Sequence, residues 1–245
     1  MSVFLVGGGA DTTPPGALAG FLAEVRAAAA QVPARIALVL LDQGWRSRRF
    51  LPDYRHALED GGAVVVTPVF LRPGEEVGAG AFGGAHGVVV GGGPTPDYRD
   101  GLVGAAAHLQ GLVRSGVPYL GFSAGAMITP AAALVGGHRL GDREVCPVES
   151  SEGLEQLTVR PGLGLVSFAV DVHTAQAGTL SGTVALVDSG AADTAVGIDE
   201  GTCLAVRAGA ADPGDGEVSG SGAVWFVRRA GGAVQVTRRT APSAR

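Results

Sequence analysis

"VPYLGFSAGAMITPAAAL", residues 117–134, decides how this chain is read. Its first six residues form a continuous apolar run, the pattern of a short strand buried on both faces. The alanine-rich stretch 124–134 then reads as a helix. Ser123 stands on the corner between them, flanked by Gly121 and Gly125, which lack a Cβ and let the backbone turn sharply. This is the G-x-S-x-G pattern of a nucleophile elbow. It lifts a serine oxygen above the end of a strand and sets the free N–H groups of a helix start behind it. The same five residues also suit an N-cap serine in a glycine-rich turn, so the surrounding sequence has to supply the rest of a site.

Outward from this corner, the first half of the chain alternates apolar runs with helical stretches. Strands are expected at 3–6, 35–41, 63–70, 87–93 and 117–122, and helices at 16–31, in part of 47–61 and at 97–116. Such alternation implies βαβ units and a parallel sheet, whose ligands bind beyond the carboxyl ends of the strands. Gly7-Gly8-Gly9, Gly91-Gly92-Gly93 and Ser123 all fall at such ends. The second half reads as short strands at 155–166, 167–174, 194–199, 202–209, 222–229 and 233–239, with one helix near 177–187 and a polar turn or loose hairpin at 208–222. The expected architecture is α/β: a doubly wound, mostly parallel sheet, extended by antiparallel strands toward the C-terminus, in a single domain spanning 1–245.

Composition narrows the function. The 245 residues are 46% hydrophobic, enough for a sizeable core, and the net charge of -5 gives no reason to expect nucleic acid. All 18 basic residues are arginine, which rules out a Ser–Lys dyad or a Schiff-base lysine. Cys146 and Cys203 are too few for a disulfide framework, although they leave a single bridge open, and no metal-type Cys/His spacing occurs. No apolar stretch reaches about 18 residues, so no membrane span is expected. The start "MSVFLVGGG" shows neither a basic n-region nor a cleavage site, and a cytoplasmic protein without metal or organic cofactor is the expectation. A dinucleotide loop is disfavoured, because Thr12 stands where G-x-G-x-x-G needs its third glycine.

A serine nucleophile needs a base, and the base needs an orienting group. Of five histidines, His56 and His108 lie in helical patterns, His86 precedes a strand and His138 sits in a glycine-rich turn. His173 ends the apolar run "FAVDVH" at an expected strand terminus, where ligands gather. "AVGIDEGTCLAV" offers Asp199 and Glu200 at another strand end; successive strand residues face opposite ways, so one of the two points toward the histidine. Asp142 and Asp171 are alternatives. The oxyanion donors expected are the N–H groups of Ala124 and of Gly93 or Gly92; Pro94 has none. "LDQGWRSRRF" (41–50) follows the second strand and places Trp45 and Arg46, with Gly92, as candidate substrate contacts.

Four segments in this order, "FLVGGG", "VVVGGGPT", "GFSAGA" and "VGIDEGT", with "DVHT" between the last two, resemble the S51 serine peptidases. That group comprises peptidase E (aspartyl dipeptidase) and the cyanophycinases. The resemblance covers roughly residues 3–206. It implies a fold similar to class I glutamine amidotransferases and flavodoxin-like sheets, with serine in place of the amidotransferase cysteine. It implies Ser123 as nucleophile, His173 as base, Glu200 in "GIDEGT" as the third member, and Gly93 and Ala124 as oxyanion donors. Short peptides become the expected substrates, and self-association as a homodimer or larger homo-oligomer is implied. Two departures bear on specificity. Pro94 replaces the asparagine that often follows the glycine triplet. No arginine occurs from Pro161 to Val206, where both branches carry them after the histidine, and a buried acidic substrate group needs a cationic partner. Strict Asp-X cleavage and cyanophycin hydrolysis are therefore disfavoured. Carboxypeptidase-like trimming would need a cation, with Arg46, Arg72, Arg99, Arg139 and Arg143 available near loops. An esterase, or a binding module with weak catalysis on the same scaffold, remains an alternative.

Overall fold

The computed structural model describes residues 2–29, 33–42, 44, 48–59 and 64–242. Among them the strands are β1 (Ser2–Val6), β2 (Ala34–Leu41), β3 (Val64–Leu71), β4 (Gly87–Val90), β5 (Tyr119–Phe122), β6 (Ala132–Gly136), β7 (Arg139–Leu140), β8 (Arg143–Glu144), β9 (Thr158–Pro161), β10 (Ala169–Val172), β11 (Thr194–Ile198), β12 (Thr202–Arg207), β13 (Glu217–Gly220), β14 (Ala223–Ala230) and β15 (Ala233–Thr240).

The main sheet has seven strands in the order β13-β12-β1-β5-β4-β2-β3. Its five strands from β1 to β3 are mutually parallel, and β12 and β13 add antiparallel on the β1 side. Alternate residues of β2 enter different cores. Ile36, Leu38 and Leu40 pack with Phe4, Val6, Phe21 and Leu58 under helices Ala19–Ala29 and Leu51–Glu59. Ala37, Val39 and Leu41 pack with Val3, Leu5, Tyr98 and Leu109 on the other face, under helices Thr95–Leu102 and Ala106–Arg114. Period-two side chains between two helical layers account for the unbroken apolar runs of the first half.

Two expectations need correction. The helix expected over 124–134 is confined to Ala124–Met127. Pro130 cannot donate to a helical hydrogen bond and disfavours helical backbone at Thr129, so the chain instead forms a bridge at Pro130–Val166 and enters β6. Nor do the C-terminal strands all extend one sheet. β10, β11, β14 and β15 form a second four-stranded sheet, in which β10 and β11 are parallel and the rest antiparallel. Apolar periodicity tells which residues form strands but not which sheet they join. Cys146 and Cys203 are both buried and free. Among the described residues, no helix is long and apolar enough to cross a membrane.

Candidate active site

β5 ends against β1, and the Ser123 N–H donates to the Val6 carbonyl at 2.9 Å. Ser123 has φ 47° and ψ -111°, in the left-handed half of conformational space that serine rarely occupies. Observed strain of this kind points to a functional corner. Gly125 is required for it: a Cβ there would stand 2.4 Å from the Val90 carbonyl oxygen. The turn therefore folds only with the glycine spacing that the sequence shows.

The second sheet brings the partners. His173 follows β10 and heads the short helix Thr174–Ala177, also with positive φ, 53°. Ser123 Oγ lies 2.8 Å from His173 Nε2. His173 Nδ1 lies 2.7 Å from Glu200 Oε1, in the turn after β11. The Glu200 N–H donates to Gln176 Oε1 at 2.9 Å, which ties the acid to the helix behind the histidine. Ser123, His173 and Glu200 thus form one hydrogen-bonded chain, in the order in which a nucleophile, base and orienting acid must stand.

The other acids lie elsewhere. Asp199 is buried, and its carboxylate accepts from Ala175 N–H, Ala223 N–H and Trp225 Nε1–H. It binds β14 and the helix after His173 to the end of β11. Asp142 is exposed in the β7–β8 turn, where its carbonyl accepts from Arg139. Asp171 is buried under helix Leu180–Asp188, accepting from the Thr183 hydroxyl and the Val172 N–H, each at 2.8 Å. Of the remaining histidines, His86 Nδ1 accepts from Arg35 N–H and His138 Nδ1 lies 3.3 Å from the Leu154 carbonyl.

Burial pushes the Asp171 carboxyl up to about 6, against the hydrogen bonds from Thr183 and Val172. The folded protein therefore holds this proton more tightly than the unfolded chain. Stability falls as pH climbs from about 4 to about 6, and the loss is complete above that, with an upper bound of about 3 kcal/mol. Asp171→Asn is expected to flatten this part of the stability curve. Urea unfolding at pH 4.5 and 7 checks it, and equal pH dependence in both proteins would contradict it.

For the oxyanion donors, Ala124 N–H is the first of its helix and has no intrahelical acceptor. Gly93 follows β4 with φ 148°, and among the described residues its N–H has no acceptor. Gly92 is not free to donate to a ligand: its N–H donates to the Tyr54 hydroxyl at 2.9 Å. Trp45 and Arg46 lie outside the described residues. Two clefts meet at Ser123, and Gly93, Pro94 and His173 line both. One, of about 590 Å³, also has Leu40, Arg49, Phe50, Asp53 and Tyr54 in its wall. The other, of about 570 Å³, has Met127, Glu149 and Glu152. Sequence reasoning missed Tyr54, Tyr98, Gln176 and Glu152. The two tyrosines sit at helical core positions, and nothing in their spacing distinguishes them from packing residues.

One residue joins the two sheets at this point. The Gly7 carbonyl accepts from His173 N–H at 3.0 Å, while the Gly7 N–H donates to the Thr202 carbonyl at 3.1 Å. A Cβ on Gly7 would stand 2.3 Å from the Asp199 carbonyl oxygen. Gly7→Ala must push the Glu200 turn away from β1. Overpacking of this kind typically costs about 1–3 kcal/mol, so the melting temperature is expected to fall by about 5 °C. Activity is expected to fall more than the folded fraction does. Calorimetry with active-site titration checks this; unchanged turnover per titrated site would show slack at the junction.

The sequence profile of peptidase family S51 matches residues 47–212. No curated protein matches the chain. Among solved structures, the chain is similar to a peptidase from an acI-B1 Actinobacterium, with 21% identity and a TM-score of 0.68 over 98% of this chain and 94% of that one. It is also similar to a putative peptidase E protein from Listeria monocytogenes EGD-e, with 15% identity and a TM-score of 0.53 over 98% of each chain. At these identities the two likenesses speak to the fold. The family match extends over more than half of the sequence and takes in the elbow, the histidine and the acidic turn. The chain therefore belongs to peptidase family S51 and is a hydrolase of the serine peptidase type.

Proposed function

We propose that this protein is a serine exopeptidase acting on short peptides. His173 removes the proton from Ser123 as its oxygen attacks the scissile carbonyl. Glu200 holds the imidazole in the tautomer that accepts at Nε2, and stabilises the imidazolium that forms. The N–H groups of Gly93 and Ala124 receive the tetrahedral oxyanion. His173 then returns the proton to the leaving amine, and water resolves the acyl-enzyme by the same route. The observation that carries this reading is the chain Ser123 Oγ–His173 Nε2–His173 Nδ1–Glu200 at 2.8 and 2.7 Å, set on a strained elbow.

The clefts on either side of Ser123 have room for a few residues each, which supports short substrates. Among the described residues, the wall of the cleft lined by Glu149 and Glu152 holds no arginine, and that of the other holds Arg49 together with Asp11 and Asp53. A strict demand for an acidic side chain is not supported by such walls. A fluorophosphonate, which reacts quickly only with an activated serine, should label the wild-type protein and not Ser123→Ala. Equal labelling of the two would remove the reading. Panels of free and end-blocked peptides beside p-nitrophenyl esters, followed by mass spectrometry, separate peptidase from esterase and identify the terminus that is trimmed.

A further inference from the structure

We propose that Tyr98 and Tyr54 are positioning residues for the oxyanion pocket, because their hydroxyls clamp both polar ends of Gly92 and so aim the N–H of Gly93. This rests on the reading of Gly93 as a donor given above. The Gly92 N–H donates to the Tyr54 hydroxyl at 2.9 Å, and the Gly92 carbonyl accepts from the Tyr98 hydroxyl at 3.2 Å. The Gly92 carbonyl and the Gly93 N–H belong to one peptide unit, which is planar and trans, so the two groups point in opposite directions. Fixing the carbonyl therefore fixes where the N–H points. No other contact does this, since among the described residues the Gly93 N–H has no acceptor. A glycine at φ 148° has a soft backbone unless something holds it.

The direction of the Tyr98 bond is itself determined. The Leu41 N–H donates to the Tyr98 oxygen at 2.9 Å, so the phenolic proton is left for Gly92. Both tyrosines are buried, Tyr98 at 0% exposure and Tyr54 at 6%. Burial pushes both phenols up, Tyr54 to about 12, so each stays neutral and Tyr98 keeps the proton that it donates. Gly91 provides the access. A Cβ there would stand 2.6 Å from Leu40 Cδ2, and 3.1 and 3.2 Å from the Tyr54 and Tyr98 oxygens. The two phenols come from separate helices, Leu51–Glu59 and Thr95–Leu102. They reach one residue from opposite layers of the sheet, an arrangement that packing alone does not require.

Tyr98→Phe keeps the ring and removes the clamp. Turnover per titrated active site is expected to fall about tenfold with KM within about twofold, because the lost alignment matters mainly when the oxyanion forms. The affinity of a peptide aldehyde, which forms a tetrahedral adduct at the serine, should fall by the same factor. Tyr54→Phe should act in the same direction but less strongly, and it replaces Tyr98→Phe as the test if burying an unpaired Leu41 N–H prevents folding. If both variants lose only melting temperature, with turnover and aldehyde affinity unchanged, the tyrosines are packing residues and the proposal is overturned. Ser123→Ala, measured alongside, separates this from the broader reading. An inactive Ser123→Ala beside fully active tyrosine variants refutes the clamp alone, whereas an active Ser123→Ala refutes the nucleophile.

Discussion

Ser123→Ala is expected to lower kcat/KM on a cleaved peptide by about a millionfold, while leaving the melting temperature near that of the wild type. The alanine retains the Ser123 N–H bond to Val6 and the corner itself, so the fold has no reason to change. What disappears is the oxygen 2.8 Å from His173 Nε2 that is placed to attack. Residual turnover should come from water activated within the oxyanion pocket, and should sit well above the uncatalysed rate. Adding His173→Ala to Ser123→Ala should cost almost nothing more, because the two side chains act as one unit. Stopped assays read by mass spectrometry can span this range. A loss under about a hundredfold would mean that another group attacks.

Glu200→Gln is expected to cost about a thousandfold in kcat, with a small change in KM. Glutamine fits the same space, but its amide can donate to His173 Nδ1. That favours the tautomer carrying its proton on Nε2, which cannot accept from Ser123. The carboxylate of Glu200 is about a third exposed, at 30%, and the His173 side chain is 32% exposed. Solvent therefore screens part of the charge stabilisation, which places the expected loss below the roughly ten-thousandfold of a fully buried acid. A loss within tenfold would shift the orienting role away from Glu200. Asp199 could not take it up in this arrangement, since its two oxygens already serve Ala175, Ala223 and Trp225.

The main sheet was legible because both of its faces are buried. Runs such as "RIALVLL" stay apolar at every position, and that leaves a mark in a single sequence. The elbow was legible because its glycines are sterically compulsory. Ser123, His173 and Glu200 could be read as strand-end residues, and the structure brings all three into one chain of hydrogen bonds. The helix after Ser123 was read too long because alanine content outweighed Pro130. The second sheet was not legible, because its strands look like those of the first and their partners are set by tertiary packing. Tyr54 and Tyr98 escaped notice for a related reason. A hydroxyl at the tip of a core ring leaves no periodic trace, and nothing in the sequence marks Gly92 as its partner, whether six residues away from Tyr98 or 38 from Tyr54.

Val6 and Gly7 carry no reactive side chain, yet their consecutive carbonyls hold the backbones of Ser123 and His173, and the Gly7 N–H holds the start of β12 just past Glu200. Geometry at the reacting oxygen is thus gauged from a strand remote in sequence from all three. Anyone recutting this gene, by circular permutation or by grafting the catalytic loops onto another scaffold, would have to carry that dipeptide along in register. A transplant that copied only the reactive side chains would arrive without the ruler that spaces them.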